Sequence, residues 1–169
     1  NPDLAAACYD YRCVSVLLGD GCGSFAPKQA FPAGGGPVRV AAADLDGDGH
    51  LDLAALDQGY SEVAVLPGDG TGAFGAPATF DTGRWPAAFA VADVNGGGKP
   101  DLVVANTYPG TVGVLMGNGD GTFGGVRECE AGLYPKSVAA ADLNAGGVPD
   151  LAVANSVGGD VSVSLGNGD

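Results

Sequence analysis

The sequence predicts an all-β protein of four-stranded, propeller-type blades on a 49-residue repeat. Three observations predict it. First, "LLGDGCGSF" at 17–25 returns as "LPGDGTGAF" at 66–74 and "LMGNGDGTF" at 115–123, and starts again as "SLGNGD" at 164–169. Gly19, Gly68, Gly117 and Gly166 thus mark a period of 49 residues. Second, two further landmarks keep that period. "PDLAAAC" at 2–8 matches "LDLAALD" at 51–57, "PDLVVAN" at 100–106 and "PDLAVAN" at 149–155, while Pro37, Pro86 and Pro135 each follow a glycine by three residues. Third, the chain has 31 Gly and 11 Pro in 169 residues, and its apolar runs are short and bounded by turn residues. That pattern suits strands and offers almost no helical spacing.

The elements of one period follow in order. "VRVAAADL" (38–45) is an apolar run too short for a helix and reads as a buried first strand. "DLAALD" (52–57) is the second, "EVAVLPG" (62–68) the third, ended by Pro and Gly, and "PATFDTG" (77–83) a weaker fourth. The segments "DGDG", "QGYS", "GDGTG" and "GRWP" supply the turns. Four strands in this length match a propeller blade, for which roughly 40–50 residues are usual. A strand-based solenoid is the competing architecture. In both, one repeat cannot bury its apolar faces alone, and stacking supplies the stability.

About three and a half repeats are present, as one β-repeat domain over 1–169. It divides into a partial blade 1–34, blade 37–83, blade 86–132 and a partial blade 135–169. The front unit begins just before a second strand and the rear unit stops after a third, so an open array or a partial propeller is expected. Open strand edges invite pairing. Further sequence, or another chain, is expected to cover them.

The net charge is −13, from 20 acidic and 7 basic residues. This argues against nucleic acid and anionic membranes as partners, since both require a basic surface, and it favours cations. No apolar run approaches the roughly 20 residues that span a bilayer. Four cysteines show no zinc spacing. Cys8 and Cys13 flank "YDYR" as the two sides of a hairpin would, where a disulfide between them is sterically possible. Cys22 and Cys129 stand at non-equivalent positions. An even count without a metal pattern points to an oxidising, extracellular setting.

Four of the acids fall in one short loop. In "DLDGDGHLDL" (44–53), Asp44, Asp46, Asp48 and Asp52 fill positions 1, 3, 5 and 9, and the His50 carbonyl falls at position 7. Ca2+ takes six to eight hard oxygens, and alternating carboxylates on a glycine-containing turn can converge on it. The first half resembles an EF-hand loop, but Ala55 replaces the bidentate Glu at position 12, and strands flank the loop. The equivalent loops keep donors at positions 1, 3, 7 and 9: Asp93, Asn95, the Lys99 carbonyl and Asp101, then Asp142, Asn144, the Val148 carbonyl and Asp150. Gly97 and Gly146 occupy position 5, so these two loops are expected to bind Ca2+ more weakly, with water in place of the carboxylate. The same acids could instead close Asx turns without metal.

"VAAADLDGDGHLDLAAL" followed by "LPGDGTGAFGAP" resembles an FG-GAP or VCBS repeat, carried by integrin α-subunit propellers, some fungal lectins and many secreted microbial proteins. The resemblance spans nearly the whole chain. It implies propeller blades in an extracellular protein, with calcium held between the first two strands. By position it makes Asp44, Asp46, Asp48, His50 and Asp52 the ligands of the intact loop. The glycines at position 5 of the later loops and the repeat count depart from the family pattern.

The sequence bears on three functions. The first is a non-catalytic structural, adhesive or self-assembling module whose open edges pair with other copies or with extracellular proteins. The second is a lectin, in which Trp85 and Tyr134, equivalent residues of "GRWP" and "GLYP", stack on sugar rings. Capping of the blade ends is their other reading. The third, an enzyme, is disfavoured by a single His inside a metal loop and by the absence of a nucleophile–base pair. No N-x-S/T sequon occurs.

Overall fold

Segments such as "DLAALD" are apolar throughout rather than alternating. They can form strands only where both faces are covered, and stacked sheets meet that condition. The computed structural model describes residues 1–168 and shows this arrangement. Its described residues hold no helix and fourteen strands in four antiparallel sheets.

The first sheet is β1 (Leu4–Cys8), β2 (Cys13–Leu17) and β3 (Gln29–Pro32). The second is β4 (Pro37–Ala43), β5 (Asp52–Asp57), β6 (Glu62–Leu66) and β7 (Ala78–Asp81). The third is β8 (Pro86–Ala92), β9 (Asp101–Asn106), β10 (Thr111–Leu115) and β11 (Arg127–Glu130). The fourth is β12 (Pro135–Ala141), β13 (Asp150–Asn155) and β14 (Asp160–Ser164). Every strand pairs only with its neighbours in sequence. The four strands read from the second repeat agree with β4–β7 to within two residues at each end.

Each first strand shifts register at the same place, between Pro37 and Arg39, Pro86 and Ala88, and Pro135 and Ser137. Proline has no N–H to give the ladder, so the irregularity falls where the ladder is already broken.

Three apolar clusters fill the spaces between sheets. Val14, Val16, Leu53, Ala55 and Leu66 join the first sheet to the second. Val63, Val65, Leu102, Val104 and Phe123 join the second to the third. Val103, Val112, Val138 and Val153 join the third to the fourth. Alternate residues of one strand therefore serve opposite interfaces, and β5 and β9 are buried along their whole length. Full burial of a side chain such as Leu102 contributes about 1.5–3 kcal/mol. Edge-to-face aromatic pairs add to two interfaces: Phe31 with Phe74 at 5.2 Å and Phe80 with Phe123 at 5.3 Å between ring centroids.

Cys8 and Cys13 lie opposite each other in the β1–β2 register, yet both thiols are free, and the bridge their spacing allows is not formed. The Cys8 sulfur sits 3.3 Å from the Ser15 hydroxyl and engages that group instead. Cys22 and Cys129 are also free.

Candidate metal centre and the opposite aromatic face

The first-to-second-strand loops stand at one end of the sheets. In the second sheet this loop curls because Gly47 and Gly49 adopt φ of 80° and 88°, a left-handed conformation that glycine takes without steric penalty. The turn is fastened by its own acids. Asp44 accepts from the Gly47 amide at 2.7 Å and from Gly49 at 3.0 Å, Asp46 from Asp48 at 3.1 Å, and Asp48 from His50 at 2.7 Å. The result brings Asp44, Asp46 and Asp48 together, with one oxygen of each within 4.8 Å of the others. Three carboxylates so close are a set that a hard divalent cation would suit. Each oxygen that accepts one amide keeps a second lone pair for a cation. The donor set therefore fits Ca2+.

Asp52 occupies a different environment. It is buried, one oxygen accepts from the Leu45 amide and the other from the Gly68 amide, both at 2.8 Å. Position 9 repeats this clasp. Asp101 accepts from Val94 at 3.0 Å and Gly117 at 2.8 Å, Asp150 from Leu143 and Gly166 at 2.8 Å, and Asp3 from Gly19 at 2.7 Å. The carboxylate thus ties the loop entrance to the end of the third strand. The sequence carried a signal for it in the constant spacing of 16 between Asp3 and Gly19, Asp52 and Gly68, Asp101 and Gly117, and Asp150 and Gly166. The His50 ring lies against Gly70, where a Cβ would meet it at 2.4 Å, and the Lys99 stem covers Gly119 in the same way.

The two later loops keep the turn with fewer acids. Asp93 accepts from Gly97 and Gly98, and Asp142 from Gly146 and Gly147. Asn95 and Asn144 each accept from the position-5 glycine, and Asn144 donates to Asp150 at 3.2 Å. Val148, whose carbonyl takes position 7, follows Gly147 in the last loop. Among the described residues, a cluster of three acids close enough for a metal forms only in the first loop.

In antiparallel sheets the second-to-third-strand loops and the blade-to-blade loops meet at the other end. That end carries exposed Tyr9, Tyr11, Tyr60, Trp85, Tyr108 and half-exposed Tyr134. Tyr108 and Tyr134 stack edge to face, with centroids 5.5 Å apart, over a hollow of about 260 Å3 that Thr107, Pro109 and Leu133 also line. The hydrogen bond with Tyr108 raises the Tyr134 phenol above its ordinary value. A second hollow of about 410 Å3 lies among Tyr9, Gln58, Gly59, Ser61, Arg84 and Trp85. Trp85 and Tyr134 hold φ of 54° and 58°, a left-handed backbone that side chains of this size disfavour. At the same end Asp57 is buried and accepts from the amides of Gly35, Gly36, Gly59 and Tyr60, joining the turn before β4 to the turn after β5. Sequence reasoning singled out Trp85 and Tyr134 but missed Asp57.

An FG-GAP-like repeat model matches residues 1–55, 44–104 and 93–153 in overlapping segments. The chain belongs to the FG-GAP-like repeat family. No curated protein matches it. Among solved structures, it is similar to a chain of the Photorhabdus luminescens Tc holotoxin pore, with 22% identity, a TM-score of 0.55, and coverage of 89% of this chain and 8% of that one. It is also similar to an Agrocybe aegerita lectin described as recognising non-reducing terminal N-acetylglucosamine, with 23% identity, a TM-score of 0.54, and coverage of 92% of this chain and 47% of that one. The chain therefore spans under half the length of either. At these identities the likeness is one of fold, and it agrees with the propeller-type blades of this FG-GAP chain.

Proposed function

We propose that this FG-GAP chain is a non-catalytic, calcium-stabilised module of an extracellular protein, serving as a scaffold or in adhesion. The observation that carries the reading is the convergence of Asp44, Asp46 and Asp48 in the turn at the end of a sheet. Asp44, Asp46 and Asp48 would hold the ion, with the His50 carbonyl as a further donor, while Asp52 fastens the loop that carries them. Ca2+ would supply charge compensation and rigidity there. The acids outside the triad favour structure over catalysis, since Asp52, Asp57, Asp101 and Asp150 already accept from backbone amides. Weak later loops suit extracellular calcium, where modules with millimolar-range sites are filled. Thermal melting during a calcium titration tests this. Calcium is expected to raise the melting temperature and EDTA to lower it, with Asp46→Ala abolishing most of the response. An unchanged melting temperature in EDTA would sink the proposal.

A second reading, carbohydrate recognition, is favoured by one feature: Trp85 and Tyr134 sit in costly left-handed backbones beside solvent-facing hollows. Exposed aromatic rings stack on the apolar faces of sugars, and the fungal lectin of similar fold recognises a terminal amino sugar. A glycan array that returns hits lost in Tyr134→Ala supports it, and an array without hits removes it.

A further inference from the structure

We propose that the hollow between the second and third sheets, at the aromatic end, binds a pyranose that carries a carboxylate, a uronic acid. Arg84 pairs with the carboxylate and Trp85 stacks on the sugar ring. This deepens the carbohydrate reading and rests on it. The hollow measures about 410 Å3, within the roughly 300–1,000 Å3 of small-molecule clefts. Its walls are Tyr9 from the turn after β1, Gln58, Gly59 and Ser61 from the turn after β5, and Arg84 and Trp85 from the turn before β8. The boundary it occupies is internal to the array, since the second sheet packs on the first and the third on the fourth.

The 49-residue period supplies the comparison. The hollow under Tyr108 and Tyr134 is the same place one boundary further on, where Thr107, Leu133 and Tyr134 replace Gln58, Arg84 and Trp85. One boundary back, Arg84 and Trp85 become Gly35 and Gly36, and the rings of Tyr60 and Tyr9 lie against those glycines. An aromatic ring thus marks both hollows, but a cation stands in one alone. Among the described residues Arg84 makes no hydrogen bond or ion pair, and the side chains of Gln58 and Ser61 make none either. Glu128 lies against the adjacent Gly83, yet it accepts from Asn106 at 3.1 Å and Thr111 at 2.9 Å instead. Trp85 holds its ring beside this guanidinium from a left-handed backbone, and strain of that kind gathers at ligand sites.

The chemistry follows from these groups. The parallel N–H pair of a guanidinium matches the two oxygens of a carboxylate. The indole face covers the C–H face of a pyranose, while the Gln58 amide and Ser61 hydroxyl offer donors and acceptors to its hydroxyls. The chain's charge of −13 repels anions at long range, so selection for the acid falls to Arg84.

Trp85 is the only tryptophan, so its emission reports on this hollow directly. Fluorescence titrations with methyl glucuronide and methyl glucoside, which differ at the carboxylate, test the proposal, with isothermal titration calorimetry as a second readout. The glucuronide is expected to bind at least tenfold more tightly than the glucoside. Arg84→Leu, which copies the neighbouring hollow, should remove that preference, and Arg84→Lys should keep part of it. Arg84 is exposed and unbonded, so both variants should melt like the parent. Equal affinity for the two sugars, or a preference that survives in Arg84→Leu, overturns acid selection and leaves the carbohydrate reading standing. Sodium acetate that binds as tightly as the glucuronide also overturns it, by showing an anion site with no sugar platform. If neither sugar binds, the proposal fails, and glycan-array hits lost in Tyr134→Ala would still carry carbohydrate recognition at the other hollow.

Discussion

Ala145 occupies the fourth position of the third acidic loop with φ of 60°, where the equivalent residues are Gly47 and Gly96. A Cβ in this region crowds the following carbonyl at a penalty of roughly 1–2 kcal/mol. Ala145→Gly relieves it, less the extra entropy glycine gives the unfolded chain. The net gain expected is about 0.5 kcal/mol in urea unfolding, small but of defined sign. Position 5 offers a second test. Gly97 is not left-handed, and a Cβ there would meet only the Asn95 amide oxygen, the movable end of a side chain. Gly97→Asp should restore the missing carboxylate and strengthen calcium binding at that loop, seen as a tighter site in isothermal titration calorimetry. Glu62 gives a pH signature. Burial, followed by the nearby Asp57 charge, raises its carboxyl above the ordinary range. A raised folded pKa means that the proton-bound form favours folding, and this contribution is lost as pH climbs through the folded value. Glu62→Gln should therefore melt higher than the parent at neutral pH, with the advantage fading below about pH 4, where Glu62 is protonated in both states.

Among elements, the position-9 aspartates matter most. Asp101 connects the entrance of the acidic loop at Val94 to the end of β10 at Gly117, three segments joined by one side chain. Asp101→Ala leaves both amides without that acceptor, and hydrogen bonds to charged groups contribute about 1.5–3 kcal/mol each. A loss of roughly 3 kcal/mol in chemical denaturation is expected, larger than any effect at exposed Asp69, whose carboxyl is held low chiefly by the Thr71 hydroxyl. The strand pattern was legible because three aligned repeats show which positions stay apolar. The loops were legible for the same reason. What a short window leaves out is the second duty of Asp52 and its equivalents. A nine-residue window shows an acid at position 9, but its amide partner on the third strand lies 16 residues further on. Cys8 and Cys13 mislead in the opposite direction. Their register is as expected, but the free Cys8 thiol lies against Ser15. A sequence-local hairpin fixes which residues face one another and leaves side-chain rotation to the surroundings.

For the whole molecule, calcium and stacking should act together. A ligand that binds only the folded state stabilises it by about 2.7 kcal/mol at a hundredfold excess over its dissociation constant. Since the acidic triad belongs to the second sheet, with sheets on both sides, that gain should reach the melting of the entire array rather than one blade. A single cooperative transition that moves as a unit with calcium, measured by calorimetry, is the expected result. Two transitions, of which only one shifts, would show that the sheets melt apart.

The pairing of every strand with its sequence neighbours also bears on how the chain is made. A sheet closes as soon as its own stretch of polypeptide has left the ribosome, with no distant segment to wait for. Its central strand, β5 or β9, is apolar on both faces, so a newly closed sheet is still sticky on the side where the next will land. During synthesis each blade is thus a template for its successor. A pause in translation between blades would lengthen the time that face stays open to other nascent chains.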